Sequence, residues 1–161
     1  DLIIAGTIIR ETVGVMSEVN KLGWTDVKVL TGIPGRASLV AALGGADVNG
    51  LYGVGGWKMY PMDTTEPDAH AFIESYRAAY NADPDENAMI AYSYTNWFLS
   101  CLDAAGTDLT TDGFVAAAQA SHHQDFTSYG EQTFVNNHAM PELVSIDQVQ
   151  DGVWVQQVEP F

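Results

Sequence analysis

Short apolar segments in the first third of the chain alternate with stretches of helical spacing. Residues 2–5 form a continuous apolar run, as expected of a strand buried on both faces of a parallel sheet, and further strands are predicted at 27–30 and 50–54. From 10 to 22 the apolar positions recur every three or four residues, which predicts an amphipathic helix, and a shorter helix is predicted over 39–43. This strand–helix–strand–helix–strand order predicts an α/β fold with a doubly wound parallel sheet.

Two consecutive amphipathic helices are predicted between residues 67 and 106. The apolar stripe of the first helix consists of Phe72, Ile73, Tyr76 and Tyr80. This helix is expected to end within residues 81–84, because a proline disfavours the α conformation of the residue before it. A second helix is expected from about 85 to 105, and Gly106 is placed to end it.

The last third of the chain changes from helical to extended patterns. A helix is predicted over 112–120, and extended segments follow at 132–135, 143–149 and 153–158. Asp151-Gly152 lies between two alternating apolar runs, which predicts a β-hairpin with a type I′ turn.

Composition excludes several classes of partner. The 161 residues include 21 Asp plus Glu but only 6 Lys plus Arg, for a formal net charge of −15. Nucleic acid and anionic membranes are therefore not expected as partners, since Lys and Arg provide most of the affinity for phosphate. No apolar run approaches the ~18 residues that a membrane span needs, so the protein is not expected to be membrane-embedded. Cys101 is the only cysteine, and its apolar neighbours predict that it is buried.

The order AYNADPD, AY and AG along residues 79–106 resembles that of periplasmic substrate-binding proteins of the Leu/Ile/Val-binding type. The terminal Asp151-Gly152 hairpin is similar to the end of those proteins. The resemblance implies a type 1 periplasmic binding protein, in which two lobes close on a small solute by hinge motion. A complete member is longer than this chain. The resemblance therefore implies that these residues form the C-terminal half, with the missing N-terminal half of the same protein as their partner.

The resemblance also implies how the chain divides between the two lobes. Residues 1–59 correspond to an α/β portion of the second lobe, and residues 60–66 to a hinge crossover. Residues 67–121 correspond to helices that belong to the first lobe, the partner of the α/β portion. Residues 122–161 correspond to the return into the second lobe, which ends in the β-hairpin.

Three loops are the candidate ligand site. In open parallel sheets, ligands bind beyond the carboxyl ends of the strands, where loops and helix starts meet. The residues nominated there as ligand-binding are Thr7, Ile8, Thr31, Gly32, Ile33 and Trp57. Glycines let backbone N–H groups approach a ligand, threonines add hydroxyls, and a tryptophan can supply a stacking surface. The alternative is that the glycines only satisfy the geometry of tight strand-to-helix turns.

The resemblance narrows the choice of ligand. Members that bind amino acids carry an aromatic or hydroxyl residue after the first of these strands, a position matched by Thr7 or Ile8. They carry an acidic residue in the loop after the second strand, where this chain has Ile33 or Pro34. A buried ammonium group without a counter-charge is costly. The sequence therefore favours a less cationic solute, such as an organic acid, an amide or an aromatic compound.

No metal, cofactor or catalytic site is predicted. His122, His123 and Asp125 with His138 are conceivable metal ligands, but adjacent histidines point apart, so a solvated loop is the favoured interpretation. The glycines of residues 53–56 lack the order of a dinucleotide- or phosphate-binding loop. The chain has no G-x-S-x-G elbow and no base beside Cys101 in sequence, so we do not expect an enzyme.

The leading functional hypothesis is the periplasmic, solute-binding component of an ABC importer, recognised by the transporter's permease. Its ligand would be an amino acid, an amide, a carboxylate or an aromatic compound. A ligand-sensing regulator or receptor domain of the same fold is the alternative. An enzyme built on a flavodoxin-like or Rossmann-like sheet is a third, but it needs a nucleophile or base that the sequence does not offer.

Overall fold

The computed structural model describes residues 1–107, 109–134 and 141–161. The chain forms two compact units, each with its own internal contacts. Unit 1 comprises Asp1–Gly55 and Val144–Phe161, and unit 2 comprises Gly56–Leu143. Residues 122–134 and 141–143 thus lie with the helices of unit 2, and the chain re-enters unit 1 at Val144. The two-lobe assignment of the whole protein, with bounds at 59, 66 and 121, stays a prediction.

The helices follow the predicted order, and so do the strands except the two-residue strand at 122–123, which was not predicted. The helices are α1 (Ile9–Lys21), α2 (Ser38–Gly44), α3 (Pro67–Tyr80), α4 (Glu86–Ala105) and α5 (Thr111–Ala120). The strands are β1 (Leu2–Ala5), β2 (Lys28–Thr31), β3 (Tyr52–Gly55), β4 (His122–His123), β5 (Gln132–Thr133), β6 (Ser145–Gln150) and β7 (Val153–Val158). A 3₁₀ turn, Gly45–Val48, follows α2.

Unit 1 contains a five-stranded sheet with the order β1-β2-β3-β6-β7. β1, β2 and β3 are parallel neighbours, which confirms the predicted parallel sheet. The sheet is mixed, because β6 runs antiparallel to β3 and β7 antiparallel to β6. The turn between the last two strands has positive φ at Asp151 and Gly152, as a type I′ hairpin requires, so the predicted hairpin is confirmed.

The core of unit 1 lies between one face of this sheet and the helices α1 and α2. Its buried members include Met16, Val19, Val29, Val40, Val48, Leu51 and Val149. On β1 only the inward positions, Ile3 and Ala5, pack on this core, whereas Leu2 and Ile4 are exposed. The prediction that β1 is buried on both faces is therefore wrong within this chain, since successive side chains of a strand point to opposite faces.

Unit 2 is built from three capped helices. The Glu66 carboxylate accepts a hydrogen bond from the Ala69 N–H at the start of α3, and Asn81 ends that helix in the left-handed conformation. Asp85 caps α4 in the same way through the Ala88 N–H, and Thr110 caps α5 through the Gly113 N–H. These side chains satisfy N–H groups that have no partner inside the helix. The predicted helices and their breaks are thus confirmed.

We expect opposite effects from alanine at two glycines of unit 1. Gly14 lies inside α1 with open space where a methyl group would lie, so Gly14→Ala should stabilise the unit by about 0.5–1 kcal/mol. Gly152 has φ +83° in the hairpin turn, so Gly152→Ala should destabilise it by about 1–2 kcal/mol. Urea unfolding followed by circular dichroism measures both changes. A stabilising Gly152→Ala would contradict the type I′ turn.

Candidate functional site

Two predicted ligand loops leave the same edge of the unit 1 sheet. Because β1 and β2 are parallel, the loop of residues 6–8 and the loop of residues 32–37 both follow carboxyl ends. Ile8 is 61% exposed and Ile33 is 41% exposed, so both present an apolar surface outside the core. Gly6 and Gly32 have open space where a side chain would lie. The structure therefore brings four uncharged positions together at this edge.

Three threonine hydroxyls lie in or next to the two loops: Thr7 within the first loop, and Thr12 and Thr31 buried next to the loops. Thr12 Oγ1 donates to the Ile8 carbonyl at 2.7 Å and lies 2.7 Å from Thr7 Oγ1. Since a hydroxyl has one proton, Thr12 accepts from Thr7, and the remaining lone pairs of Thr7 can accept a hydrogen bond from elsewhere. Thr7 is partly exposed, so this acceptor is available at the loop surface.

Thr31, the third of these residues, has a structural role that the sequence did not show. It is fully buried, and its hydroxyl donates to the Ala5 carbonyl at 3.3 Å. The Thr31 hydroxyl thus links β2 to β1. A substitution of Thr31 would therefore change the stability of the fold as well as any affinity for a ligand. A direct contact of Thr31 with a ligand stays a prediction.

A buried ion pair holds the end of the second loop. Arg36 Nε donates to Asp147 Oδ2 at 2.8 Å and Arg36 Nη2 donates to the same oxygen, with side chains 2% and 3% exposed. Ser145 Oγ donates to the other carboxylate oxygen at 2.5 Å. A buried charge is tolerated only when it is paired and hydrogen-bonded, and this carboxylate satisfies both conditions.

Two glycines of β3 make room for that arginine. A Cβ at Gly53 would lie 2.9 Å from Arg36 Cβ and Cγ, and a Cβ at Gly55 would lie 2.9 Å from Arg36 Nη1. These distances are shorter than side-chain carbons adopt, so neither position can carry a side chain without movement of Arg36. Gly53 and Gly55 therefore accommodate a cation of the protein itself.

The sequence reasoning missed Arg36 and Asp147 because 111 residues separate them. One indication was present in β6. Asp147 shares the buried face of that strand with Ser145 and Val149, and a carboxylate at such a position requires a buried partner.

Trp57, the sixth predicted ligand residue, lies in unit 2. Its side chain is 7% exposed, it forms a β-bridge with Ser128, and its ring contacts that of Tyr94 edge to face at 5.4 Å. The indole thus packs within unit 2. Its predicted role as a stacking surface for a ligand is not tested by this packing and stays a prediction.

His123 of unit 2 is not part of a solvated loop, so that interpretation is wrong for this residue. Its side chain is 14% exposed and its ring stacks on Trp97 at 5.2 Å. Nε2 lies 3.0 Å from Ser93 Oγ and 3.3 Å from Asp125 Oδ2. Both partners meet the same ring nitrogen, whereas a Ser-His-Asp triad needs one partner on each nitrogen. The group is therefore not arranged for nucleophilic catalysis.

Hydrogen bonds keep the Asp125 carboxylate ionised. Burial raises the pKa of Asp125. Hydrogen bonds from Ser93 and Thr127, together with the nearby His123, lower this pKa by more than burial raises it, so the net shift is downward. The Asp125 carboxylate accepts from both the N–H and the hydroxyl of Thr127, at 2.8 and 2.7 Å.

A groove of about 350 Å³ beside Asp125 is lined by Phe72, Tyr92 and Phe126. Asp68, Asn96 and His123 also line this groove, so it combines aromatic rings with polar and acidic side chains.

The remaining candidate features of unit 2 are structural. His122 pairs with Glu131 at 2.7 Å on the surface, and His138 lies outside the described residues. Within residues 1–107, 109–134 and 141–161, no three His, Cys, Asp or Glu side chains are grouped to hold a metal ion. Cys101 is buried, as predicted. None of the helices in those ranges combines the length and apolar character needed to cross a membrane.

A family model described as periplasmic binding protein matches residues 1–153, almost the whole chain. The chain belongs to the periplasmic binding protein family. The predicted resemblance to the Leu/Ile/Val-binding type is confirmed, as is the predicted lobe fold. Among curated proteins, no sequence matches this one.

Solved structures of solute-binding proteins share the fold of this family member. A branched-chain amino acid ABC transporter protein from Thermus thermophilus with bound valine matches with a TM-score of 0.84 and 13% identity, over 100% of this chain and 46% of that one. A fatty acid ABC transporter substrate-binding protein from Thermomonospora curvata gives 0.76 and 19%, over 99% and 42%. A solute-binding protein from R. palustris in complex with benzoate gives 0.73 and 17%, over 97% and 42%. This periplasmic binding protein chain thus spans less than half the length of each.

Gly35 provides a test of the packing beneath the second loop of this family member. A Cβ there would lie 2.6 Å from Thr12 Oγ1 and would clash with Thr31 Oγ1, and both threonines are fully buried. Gly35→Ala should therefore destabilise unit 1 by about 1–3 kcal/mol, the usual cost of overpacking. Thermal unfolding measures the change. Gly32→Ala is the matched control, since that position is open, and equal losses in both variants would contradict the packing.

Gln132 provides a second test, within unit 2. Its side chain is fully buried, and neither amide atom has a hydrogen-bond partner in the described part of the chain. Gln132→Leu removes this unpaired amide at similar volume, so the free energy of unfolding should stay unchanged or rise. Gln132→Glu should lower it by about 2 kcal/mol or more, because it buries an unpaired charge. A loss in Gln132→Leu as large as in Gln132→Glu would show that the amide has an essential partner.

Proposed function

We propose that this chain is part of the extracytoplasmic solute-binding component of an ABC importer. The family match over residues 1–153 is the observation that carries the proposal. The protein would bind a small organic solute without changing its bonds, and the importer's permease would recognise the ligand-bound form. The rest of the binding site would come from the N-terminal half of the same protein. A periplasmic location goes with this role.

The ligand loops of unit 1 support binding of an uncharged or weakly polar group. Residues 6–8 and 32–35 contain no ionisable side chain, and the one charge adjoining them, Arg36, is neutralised internally by Asp147. Ile8 and Ile33 offer apolar contacts, the Thr7 hydroxyl offers an acceptor, and Gly6 and Gly32 allow close approach of the backbone. Such sites orient a ligand through a few polar groups in a mainly apolar surface.

These loops offer no counter-charge for an α-ammonium group. The relatives of the same fold are described with valine, benzoate and a fatty acid, so the fold is compatible with several ligand classes. Because a desolvated ammonium without a carboxylate is costly, we propose that the solute is a carboxylate, an amide or an aromatic compound rather than a free amino acid. The uncharged part of the solute would face these loops, and a carboxylate of the solute would be held by the N-terminal half.

A thermal-shift comparison of the full-length protein with benzoate, decanoate and L-valine tests this proposal. At equal concentrations, benzoate or decanoate should raise Tm more than L-valine does, because the ligand with the lower Kd stabilises the folded state more. A ligand at 100 times its Kd stabilises the folded state by about 2.7 kcal/mol. Ile8→Ser and Ile33→Ser should weaken the binding roughly three- to tenfold, through lost apolar contact. The unfolding midpoint should stay unchanged in Ile33→Ser and rise in Ile8→Ser, because Ile8 is the N-cap of α1 and a serine there can accept a hydrogen bond from the first turn.

Leu43→Ser is the matched control for these variants. Leu43 is an exposed apolar residue in the last turn of α2, away from the loops, and its loss should leave binding unchanged. A Tm rise with L-valine alone would overturn the proposed ligand class. Unchanged affinity in both isoleucine variants would remove these loops from the binding site.

A further inference from the structure

We infer that Arg36 and Asp147 are positioning residues, whose buried ion pair fixes the 32–37 loop in the shape that presents Gly32 and Ile33 to the solute. The inference rests on the proposed function for its ligand, but its structural part can be measured without one. The contacts that both residues make with the loop and with the strands of the sheet support this role.

The loop is a tight turn with its own hydrogen bonds. The N–H groups of Gly35 and Arg36 both donate to the Gly32 carbonyl at 3.0 Å, and the Arg36 N–H also lies 3.2 Å from the Ile33 carbonyl. Gly35 packs against Thr12 and Thr31 with no room for a side chain. The conformation at Gly32 and Ile33 therefore depends on where residues 35 and 36 are held.

Residues 36 and 37, at the end of this loop, are anchored by the last two strands of the sheet, β6 and β7. Arg36 is paired with Asp147 on β6, and the Trp154 Nε1–H on β7 donates to the Ala37 carbonyl at 2.8 Å. Asp147 is itself opposite Gly53 in the β3–β6 register and is oriented by Ser145. The β6–β7 hairpin thus sets the position of a loop more than 100 residues earlier in the sequence.

The ion pair is suited to positioning because its geometry is directional. Two N–H groups of one guanidinium meet one carboxylate oxygen, and the arginine side chain lies against Gly53 and Gly55, where a Cβ would come within 2.9 Å of it. Well-packed apolar residues can replace a buried pair without loss of stability, so the selective value of the pair lies in the conformation that it specifies.

Amide hydrogen exchange of the full-length protein tests the inference. In Asp147→Asn, which keeps the shape and removes the charge, the Gly35 and Arg36 amides should exchange at least about tenfold faster. The Thr12 amide, which donates to the Ile8 carbonyl, should keep its rate and so report on the first loop. Glu18→Gln, which breaks an exposed pair with Lys21, is the control and should change neither loop.

A second variant separates loop position from stability. Arg36→Met combined with Asp147→Leu should unfold near the wild-type midpoint but still show fast exchange of the amides at positions 35 and 36. Binding of benzoate, decanoate or L-valine, whichever binds the wild type, should weaken about tenfold in both variants under conditions where each is fully folded.

The outcomes distinguish this inference from the proposed function. Unchanged exchange of the amides at positions 35 and 36 in both variants would overturn the inference, whatever the ligand data show. Faster exchange with unaltered affinity would overturn the link between loop and ligand. Faster exchange in a protein that binds none of the three probes would support the positioning role and count against the proposed ligand class alone.

Discussion

The architecture of unit 1 depends on a constraint imposed by one buried cation. A guanidinium removed from water must be neutralised and hydrogen-bonded, and removal of one partner of such a pair costs about 3–5 kcal/mol. Arg36 meets this demand through Asp147, and Asp147 through Ser145. The same demand requires glycine at two alternate positions of β3, because any side chain there would occupy the space of the arginine. A single ion pair therefore determines residue choice in one loop and two strands.

This constraint also helps to fix the register in which β6 pairs with β3. β1, β2 and β3 are contiguous in sequence, whereas β6 and β7 come from the end of the chain. Backbone pairing alone could be satisfied by a shifted register of β6, but a shift by one residue would turn Asp147 away from Arg36 and expose Val149. The ion pair and the apolar alternation thus specify the same register. Agreement between such independent preferences is what gives a sequence one structure.

Local patterns predicted most of the elements, and the failures share a cause. The helical stripe of α3, the end of that helix before Pro84 and the Asp151-Gly152 turn are determined by neighbours within a few residues, so the sequence alone suffices. The burial of His123 depends on Trp97 and Ser93 of another helix, and β4 has only two residues, too few for a periodic pattern. The Arg36–Asp147 pair spans 111 positions. Contacts between distant segments leave no periodic trace, so they could be seen only in three dimensions.

The candidate site illustrates the same division between local and distant causes. Because β1 and β2 are parallel, the loops that follow them lie at the same end of the sheet. The exposure of Ile8 and Ile33 agrees with their predicted place in these loops. The hydroxyls next to them are different, because Thr31 turns inward to the Ala5 carbonyl while Thr7 keeps an acceptor at the surface. Two threonines beside these loops therefore have unequal capacity to meet a solute. With the adjoining charge of Arg36 neutralised inside the unit, the proposed recognition at this edge would come from the backbone, one hydroxyl and two apolar side chains. Such a surface would discriminate by shape and by hydrogen bonding rather than by charge.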